Sequence, residues 1–431
     1  MKLPGRLSAA IEILEDIAQR HRPVAEALKA WGINNRFAGA GDRAAIGNIV
    51  YDALRKRASH GFAMGSDSAR ALVLAVAVRD WGATPEELND LFAADTHAPE
   101  VLSADEVQRL SSADPLEDAP EYVRADFPEW VVPSLKASLG PFWRDEGRAM
   151  AGRPALDLRV NTLKADRARV LKSLERVAAQ PAALSPVGVR IAGGERDSRT
   201  PNVQADEGYL KGWFEVQDQG SQIVALLAGA KPGEQVLDLC AGAGGKTLAM
   251  AASMGNKGQI FAYDSDRHRL APIYDRLKRN GARNVQVRAP GEGALDDLVG
   301  KMDRVVLDAP CTGSGTWRRQ PHAKWKLSAE QLALRVDEQA AILEAGVRYV
   351  KPGGELVYIT CSILDEENSG QMRRFLAAHP EFEAVPAGPL LEAMAPGASA
   401  QVHLTPEGGA LLTPLKTGTD GFFAMVLRHR G

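Results

Sequence analysis

The chain is poor in cysteine, with three in 431 residues, and Cys240, Cys311 and Cys361 stand far apart. Three thiols cannot pair fully, and without a CxxC or a Cys/His cluster they build neither a disulfide framework nor a zinc site. Long apolar runs are missing too. A bilayer span needs roughly 18–20 apolar residues; Ala71 to Val78 comes nearest, is broken by Arg79-Asp80, and is expected to be a core helix. No hydrophobic segment follows the basic residue in Met1-Lys2-Leu3-Pro4-Gly5, so a secretory leader is not expected and a cytoplasmic location is. There is no internal repeat and no low-complexity tract. Charge of one sign is also lacking: the formal net value of −3 neither favours nor opposes a polyanionic partner. No heptad or long apolar stripe demands an oligomer.

What is present divides along the chain. At 431 residues, 45% of them hydrophobic, the chain is too long for one ordinary core and suggests two or three domains. Residues 1–60 carry ten Lys/Arg against six Asp/Glu, and residues 61–130 four against fifteen, so only the first stretch suits phosphate. Ile11, Ile13, Leu14 and Ile17, then Ala45, Ile46, Ile49, Val50 and Leu54, fall at helical spacing, with Asp42 placed to cap the second helix. Residues 1–125 therefore read as an all-helical bundle, with Ser111 to Pro120 as a linker. Residues 127–215 read as a small α+β module: a helix over Trp130 to Met150, a strand over Ala155 to Asn161, a helix from Ala165 to about Ala178, and short strands near Val187 to Ile191 and Trp213 to Val216. From 216 to 431 strand, turn and helix alternate, with strands expected at Gln235 to Cys240, Gln259 to Tyr263, Val285 to Arg288, Arg304 to Leu307 and Glu355 to Thr360. That order predicts an α/β fold, a parallel sheet wound on both faces, with ligands at the carboxyl ends of its strands.

The residues suited to chemistry lie at those ends. Cys240, Ala241, Gly242, Ala243, Gly244, Gly245 and Lys246 form a small-residue turn that lets backbone approach a ligand at a helix N-terminus, although a tight strand-to-helix turn alone reads the same way. Asp264, at the end of the next strand, is placed to accept both ribose hydroxyls of a nucleoside; Asp266 reads as a helix cap. The turn lacks G-x-G-x-x-G, which favours S-adenosylmethionine over a dinucleotide. Asp308-Ala309-Pro310-Cys311 and Thr360-Cys361-Ser362 each follow an apolar strand. Alone, Cys361 reads more readily as a buried structural thiol at a strand end, the commoner fate of a free cysteine. Beside Cys311 it suits a reaction in which a thiolate adds to carbon 6 of cytosine and makes carbon 5 nucleophilic, after which a base removes the carbon 5 proton. Asp308 can bond the cytosine edge at N3 and the amine. The stretch Thr316 to Lys326, with Arg318, Arg319, Lys324 and Trp325, suits phosphate contact and base stacking, or else a loop whose tryptophans anchor in the core. Asp365-Glu366-Glu367 reads as the first turn of a helix.

Together the 240–246 turn, Asp308-Ala309-Pro310-Cys311-Thr312-Gly313-Ser314-Gly315 and Thr360-Cys361-Ser362 resemble the RNA 5-methylcytosine methyltransferases, and within them the bacterial RsmB/Sun ribosomal RNA enzymes. Leu158 to Lys164, Gln217 to Ser221 and Asp420-Gly421-Phe422-Phe423 extend the likeness over residues 127–431, and the helices around Asp42-Arg43-Ala44 resemble a NusB-like RNA-binding bundle. The resemblance implies a Rossmann-like, class I S-adenosylmethionine-dependent methyltransferase domain acting on cytosine carbon 5 in RNA, most directly 16S ribosomal RNA. It makes Cys361 the nucleophile and links Cys311 to product release. It puts the 240–246 turn, Asp264 and Asp308 around the cofactor, with RNA as partner and neither metal nor membrane. Transfer RNA as substrate, and a non-catalytic ribosome-assembly role, stay open as alternatives. The chain departs from the pattern in having Ala243 where the family's turn often has Pro. At the third strand end, where an Asp usually faces the adenine, it has Arg288-Ala289-Pro290, with Glu292 a possible substitute.

Overall fold

The computed structural model describes residues 1–431. Residues 1–110 fold into helices Leu3–Arg20, Val24–Asn34, Ala40–Arg55, Arg57–Met64, Ala69–Ala75 (continued by a turn to Asp80), Pro85–Ala93 and Ala104–Leu110. The helically spaced positions close on one another: Leu7, Ile13, Leu14, Ile17, Ile46, Ile49, Val50 and the run Ala71 to Ala77 are all buried in one core. Asp42 is the third residue of its helix rather than the cap. Its carboxylate reaches back to the Gly39 N–H and also pairs with Arg6. No single helix is long and apolar enough to cross a membrane; the most apolar pair, Arg57–Met64 and Ala69–Asp80, bends by 98°.

The expected helix from Trp130 to Met150 is broken. Gly140, at φ +56°, and Pro141 separate Val132–Leu139 from Trp143–Ala151, because neither residue continues a helix through that point. Both pieces bury Leu135, Leu139, Trp143 and Met150 in the core of the large sheet. The middle module itself is a four-stranded antiparallel sheet of β1 (Leu156–Val160), β2 (Gln180–Pro181), β3 (Gly188–Ile191) and β4 (Phe214–Val216), in the order β2-β3-β1-β4.

The C-terminal part holds β5 (Gln235–Asp238), β6 (Gln259–Tyr263), β7 (Val285–Arg288), β8 (Met302–Asp308), β9 (Val350–Thr360), β10 (Phe382–Val385), β11 (His403–Leu404), β12 (Ala410–Leu412) and β13 (Phe422–His429). The order is β11-β12-β13-β9-β8-β5-β6-β7, with β10 beside β13. Strands β5 to β9 are parallel, as their alternation with helices predicted, and the four later strands add an antiparallel edge that begins with β13 on β9. Alternate residues feed two cores: Leu237, Val305 and Leu356 enter one, while Val236, Val306 and Val357 enter the other. This two-sided burial is what selects apolar, β-branched runs for a central parallel sheet. Because β5, β6, β8 and β9 point the same way, the residues that follow them emerge on one edge.

Candidate active site

The turn after β5 is shaped by two left-handed glycines, Gly242 (φ +50°) and Gly244 (φ +82°). A Cβ on Gly244 would stand 2.5 Å from Ile273 Cγ1, so only glycine fits where the helix Gly245–Ser253 starts. Asp264, buried at the exit of β6, accepts the Gly242 N–H at 2.9 Å through one oxygen and the Asp266 N–H at 2.9 Å through the other. A carboxylate has about four acceptor positions, so both oxygens keep one for ribose hydroxyls. Asp266 caps the next helix through the His268 N–H at 2.8 Å, as its position suggested.

Behind the turn, Asp238 is wholly buried; its Oδ2 accepts from Thr247 at 2.6 Å and its Oδ1 has no partner. Burial pushes this carboxyl up to about 7, the Thr247 bond opposes that, and the charge of Asp308 adds to it. An unpartnered carboxylate oxygen beside a glycine cradle is what an ammonium-bearing ligand such as S-adenosylmethionine would satisfy, so the residues present fit that cofactor. Lys246 Nζ lies 2.6 Å from Asp308 Oδ2 and above the Phe422 ring, fixing the carboxylate at the exit of β8. Burial, with Asp238 adding to it, pushes the Cys240 thiol up, which suits a structural rather than a reactive sulfur. The exit of β7 carries no acid: Arg288 lies over Phe261 and pairs with Asp297, while Ala289 and Glu292 are exposed.

The two thiols meet. Cys311 Sγ, after β8, and Cys361 Sγ, after β9, are 3.3 Å apart, and both residues are half-buried rather than sealed in the interior. The Cys311 thiol is pushed well up, first by its hydrogen bond to Cys361, then by burial and by nearby charge. Backbone closeness makes this approach possible: Gly315 N–H donates to the Cys361 carbonyl at 2.9 Å, and Gly421 N–H to the Gly315 carbonyl at 2.8 Å. A Cβ on Gly315 would lie 2.0 Å from the Gly421 oxygen, and one on Gly421 would lie 2.6 Å from Gly315 Cα and 2.4 Å from Ile363 Cγ2, so glycine is needed on both sides of this approach.

The stretch expected to hold RNA is spent inside the protein. Arg318 is 5% exposed, pairs with Asp420 at 2.5 Å and accepts Arg55 Nε on its carbonyl at 2.7 Å. Arg319 bonds Asp218 at 2.9 Å and also Asp420. Lys324, 2% exposed, donates to the Arg55 carbonyl at 2.9 Å, and Trp325 Nε1 to the Leu54 carbonyl at 2.6 Å. Lys324 and Trp325, with the Arg318 carbonyl, join the helical bundle to the large sheet, and the Arg318 and Arg319 side chains pair with acids inside it; the expectation that Arg318 and Lys324 contact RNA is corrected accordingly, while Arg319 and Trp325 stay half-exposed. Their bonds satisfy carboxylates and helix-end carbonyls that burial would otherwise leave unpaired.

Two groups that sequence reasoning passed over matter here. Arg159, from β1, donates to the Gly245 carbonyl at 2.7 Å and to Gln217 at 2.5 Å, so the middle sheet props the cofactor turn. Glu367, read as a helix-turn residue, sits in a short turn but points inward to both cysteine loops. The run Leu158-Arg159-Val160-Asn161 held a signal for the first, a basic residue in an apolar strand.

A glycine-cradled helix start, an acid at the neighbouring strand end and a sheet of this order place the chain among the S-adenosylmethionine-dependent methyltransferases with a Rossmann-like domain. Residues 225–428 match the family described as 16S rRNA methyltransferase RsmB/F, and residues 127–196 the ferredoxin-like domain of RsmF/B-like methyltransferases. The chain belongs to the RsmB/F methyltransferase family. It is 35% identical to the ribosomal RNA small subunit methyltransferase B of Klebsiella pneumoniae, over 75% of this chain and 71% of that one. It is 33% identical to a probable ribosomal RNA small subunit methyltransferase B of Synechocystis, over 70% of this chain and 66% of that one, just under two thirds of that relative's length. A methyltransferase homologue from Pyrococcus horikoshii superposes with a TM-score of 0.58 at 27% identity, covering 72% of this chain and 97% of its own.

Proposed function

We propose that the protein methylates carbon 5 of a cytosine in 16S ribosomal RNA through a covalent adduct on Cys361. The pairing of two half-buried thiols at 3.3 Å, beside a carboxylate held by Lys246, carries this reading. S-adenosylmethionine supplies the methyl group. Asp308 holds the cytosine edge, and the Cys361 thiolate forms an S–C6 bond whose electrons pass to carbon 5. Carbon 5 takes the methyl as the donor's sulfonium bond breaks. A base then takes the carbon 5 proton, the C–H electrons restore the C5–C6 double bond as the S–C6 bond breaks and Cys361 leaves as thiolate, and Cys311, at hydrogen-bond distance from that sulfur, assists its release. The cytosine reaches the site unpaired or flipped, because a base inside a helix is closed to attack.

The test uses ribosomal RNA with a labelled target cytosine. Cys361→Ala abolishes methylation, and Cys311→Ala accumulates a protein–RNA adduct that survives a denaturing gel. Full activity of Cys361→Ala, with adduct formation lost only on removing Cys311, would exchange the two roles.

A further inference from the structure

We propose that Glu367 is a positioning residue: its buried carboxylate ties the loop after Cys311 to the loop after Cys361 and thereby sets the spacing of the two sulfurs. The inference rests on the reading of Cys361 and Cys311 given above. Glu367 is 0% exposed. Its Oε1 accepts the Thr312 N–H at 2.8 Å and Gln339 Nε2 at 2.9 Å; its Oε2 accepts the Thr312 hydroxyl at 2.6 Å and the Ser362 hydroxyl. Thr312 is the residue after Cys311 and Ser362 the residue after Cys361, so one carboxylate grips the chain beside each thiol.

The surroundings brace the grip from three further sides. Gln339, from the helix Ala329–Val347, also donates to the Pro310 carbonyl at 2.9 Å and so holds the residue before Cys311. Tyr358, in β9, donates to the Glu367 carbonyl at 2.8 Å. Asn368 donates to the Ser362 carbonyl at 2.9 Å and accepts from the Thr360 hydroxyl at 2.6 Å, framing Cys361 between them. The neighbouring acids do nothing of the kind: Asp365 pairs with Arg373 at 2.6 Å, and Glu366 reaches Ser134. All four groups bonded to the Glu367 carboxylate are neutral donors, and no cation pairs with it. A buried carboxylate without a counter-ion is costly to keep, and polar networks of this kind hold one geometry firmly when every member is satisfied. Paired strands β8 and β9, the Gly315–Cys361 backbone bond and the Ser314–Ser362 hydroxyl pair bring the two loops together, and the shared acceptor beneath both fixes how their sulfurs stand at 3.3 Å.

The experiment compares E367A and E367Q in the full chain, with Q339L as an independent cut in the same hub. Two readouts are taken: single-turnover methylation of ribosomal RNA, and the rate at which diamide joins Cys311 to Cys361, measured by mass spectrometry after alkylation. Diamide takes two electrons and two protons from the thiol pair, so its rate reports sulfur spacing without any methyl transfer. E367A should lower both rates together, by about 10²-fold for a misplacement near 1 Å, with KM for RNA and for S-adenosylmethionine little changed. E367Q, whose amide can accept from Thr312 N–H and Gln339 and donate to the two hydroxyls, should recover most of both. Q339L should lie between. Unchanged rates in E367A overturn the proposal, as does an E367Q protein with normal diamide coupling and no turnover, since charge rather than spacing would then be at stake. If E367A fails to fold, Q339L takes its place: unchanged rates in Q339L overturn the proposal, and E367Q keeps the criterion just given. A Cys311→Ala chain that forms no RNA adduct, beside a wild-type chain that couples its thiols, would sink the reading of Cys361 as nucleophile and leave the spacing result standing.

Discussion

Residues 308–315 and 316–326 are consecutive and equally rich in groups that suggest a ligand, yet they face opposite tasks. The first holds Asp308 and Cys311 part-exposed at the strand ends, each set by a partner from another element, Lys246 and Cys361. The second sinks Arg318 and Lys324 into the seam with the helical bundle, where Asp420 and the Arg55 carbonyl take their bonds. Burial tells them apart, because a cation placed in a seam must be paired there and a paired cation is no longer free for phosphate. Basic and aromatic content alone therefore did not mark an interface in this chain.

The sharpest cut into this contrast is Cys361→Ala, which should reduce turnover by more than about 10³-fold while leaving the melting temperature nearly unchanged. On the other side, Arg318→Ala should do the reverse. It leaves Asp420 buried with Arg319 as its remaining cation, and should cost roughly 3–5 kcal/mol of stability with little change in the salt dependence of RNA binding. A weaker salt slope at unchanged stability would instead restore Arg318 to the RNA. Asp238, behind the first segment, makes a pH test. Its carboxyl sits at about 7 when folded, raised mainly by burial, against roughly 3.9 when unfolded. The folded state holds that proton more tightly, so stability present below about pH 4 is lost as pH rises through 7, by up to about 4 kcal/mol. Asp238→Asn should flatten this slope in ligand-free protein, raising the melting temperature at pH 8 but not at pH 4, and should weaken S-adenosylmethionine binding measured by calorimetry. The smallest change is Trp325→Phe, which loses the bond to the Leu54 carbonyl and narrows the ring beneath Lys324 and Arg57, and should cost about 1 kcal/mol in a thermal melt.

The central parallel strands were legible because a strand buried on both faces must be apolar throughout, as β6 is along its centre, and β6 matches its expected bounds, as does β7, an edge strand that alternates apolar and polar residues. Strand β13 was not drawn, since its value lies in pairing with β9, a partner more than sixty residues earlier in the chain. The break at Gly140-Pro141 was visible as residue types but overruled by the apolar spacing around it. Glu367 was read as the solvated start of a helix because Asp365-Glu366-Glu367 is acidic throughout. Only the fold turns the third of these carboxylates inward while the first two stay near the surface.

Residue order alone determined the sheet's strand-and-helix alternation, the glycine bend after β5 and the presence of a cysteine after each of two later strands, because these follow from local periodicity and backbone freedom. Tertiary structure decided which groups meet: the 3.3 Å approach of sulfurs fifty positions apart, and the diversion of Arg318 and Lys324 into a domain seam. Such pairings depend on which elements the cores bring together and on how each buried charge finds a partner, and neither is written in any short stretch of sequence.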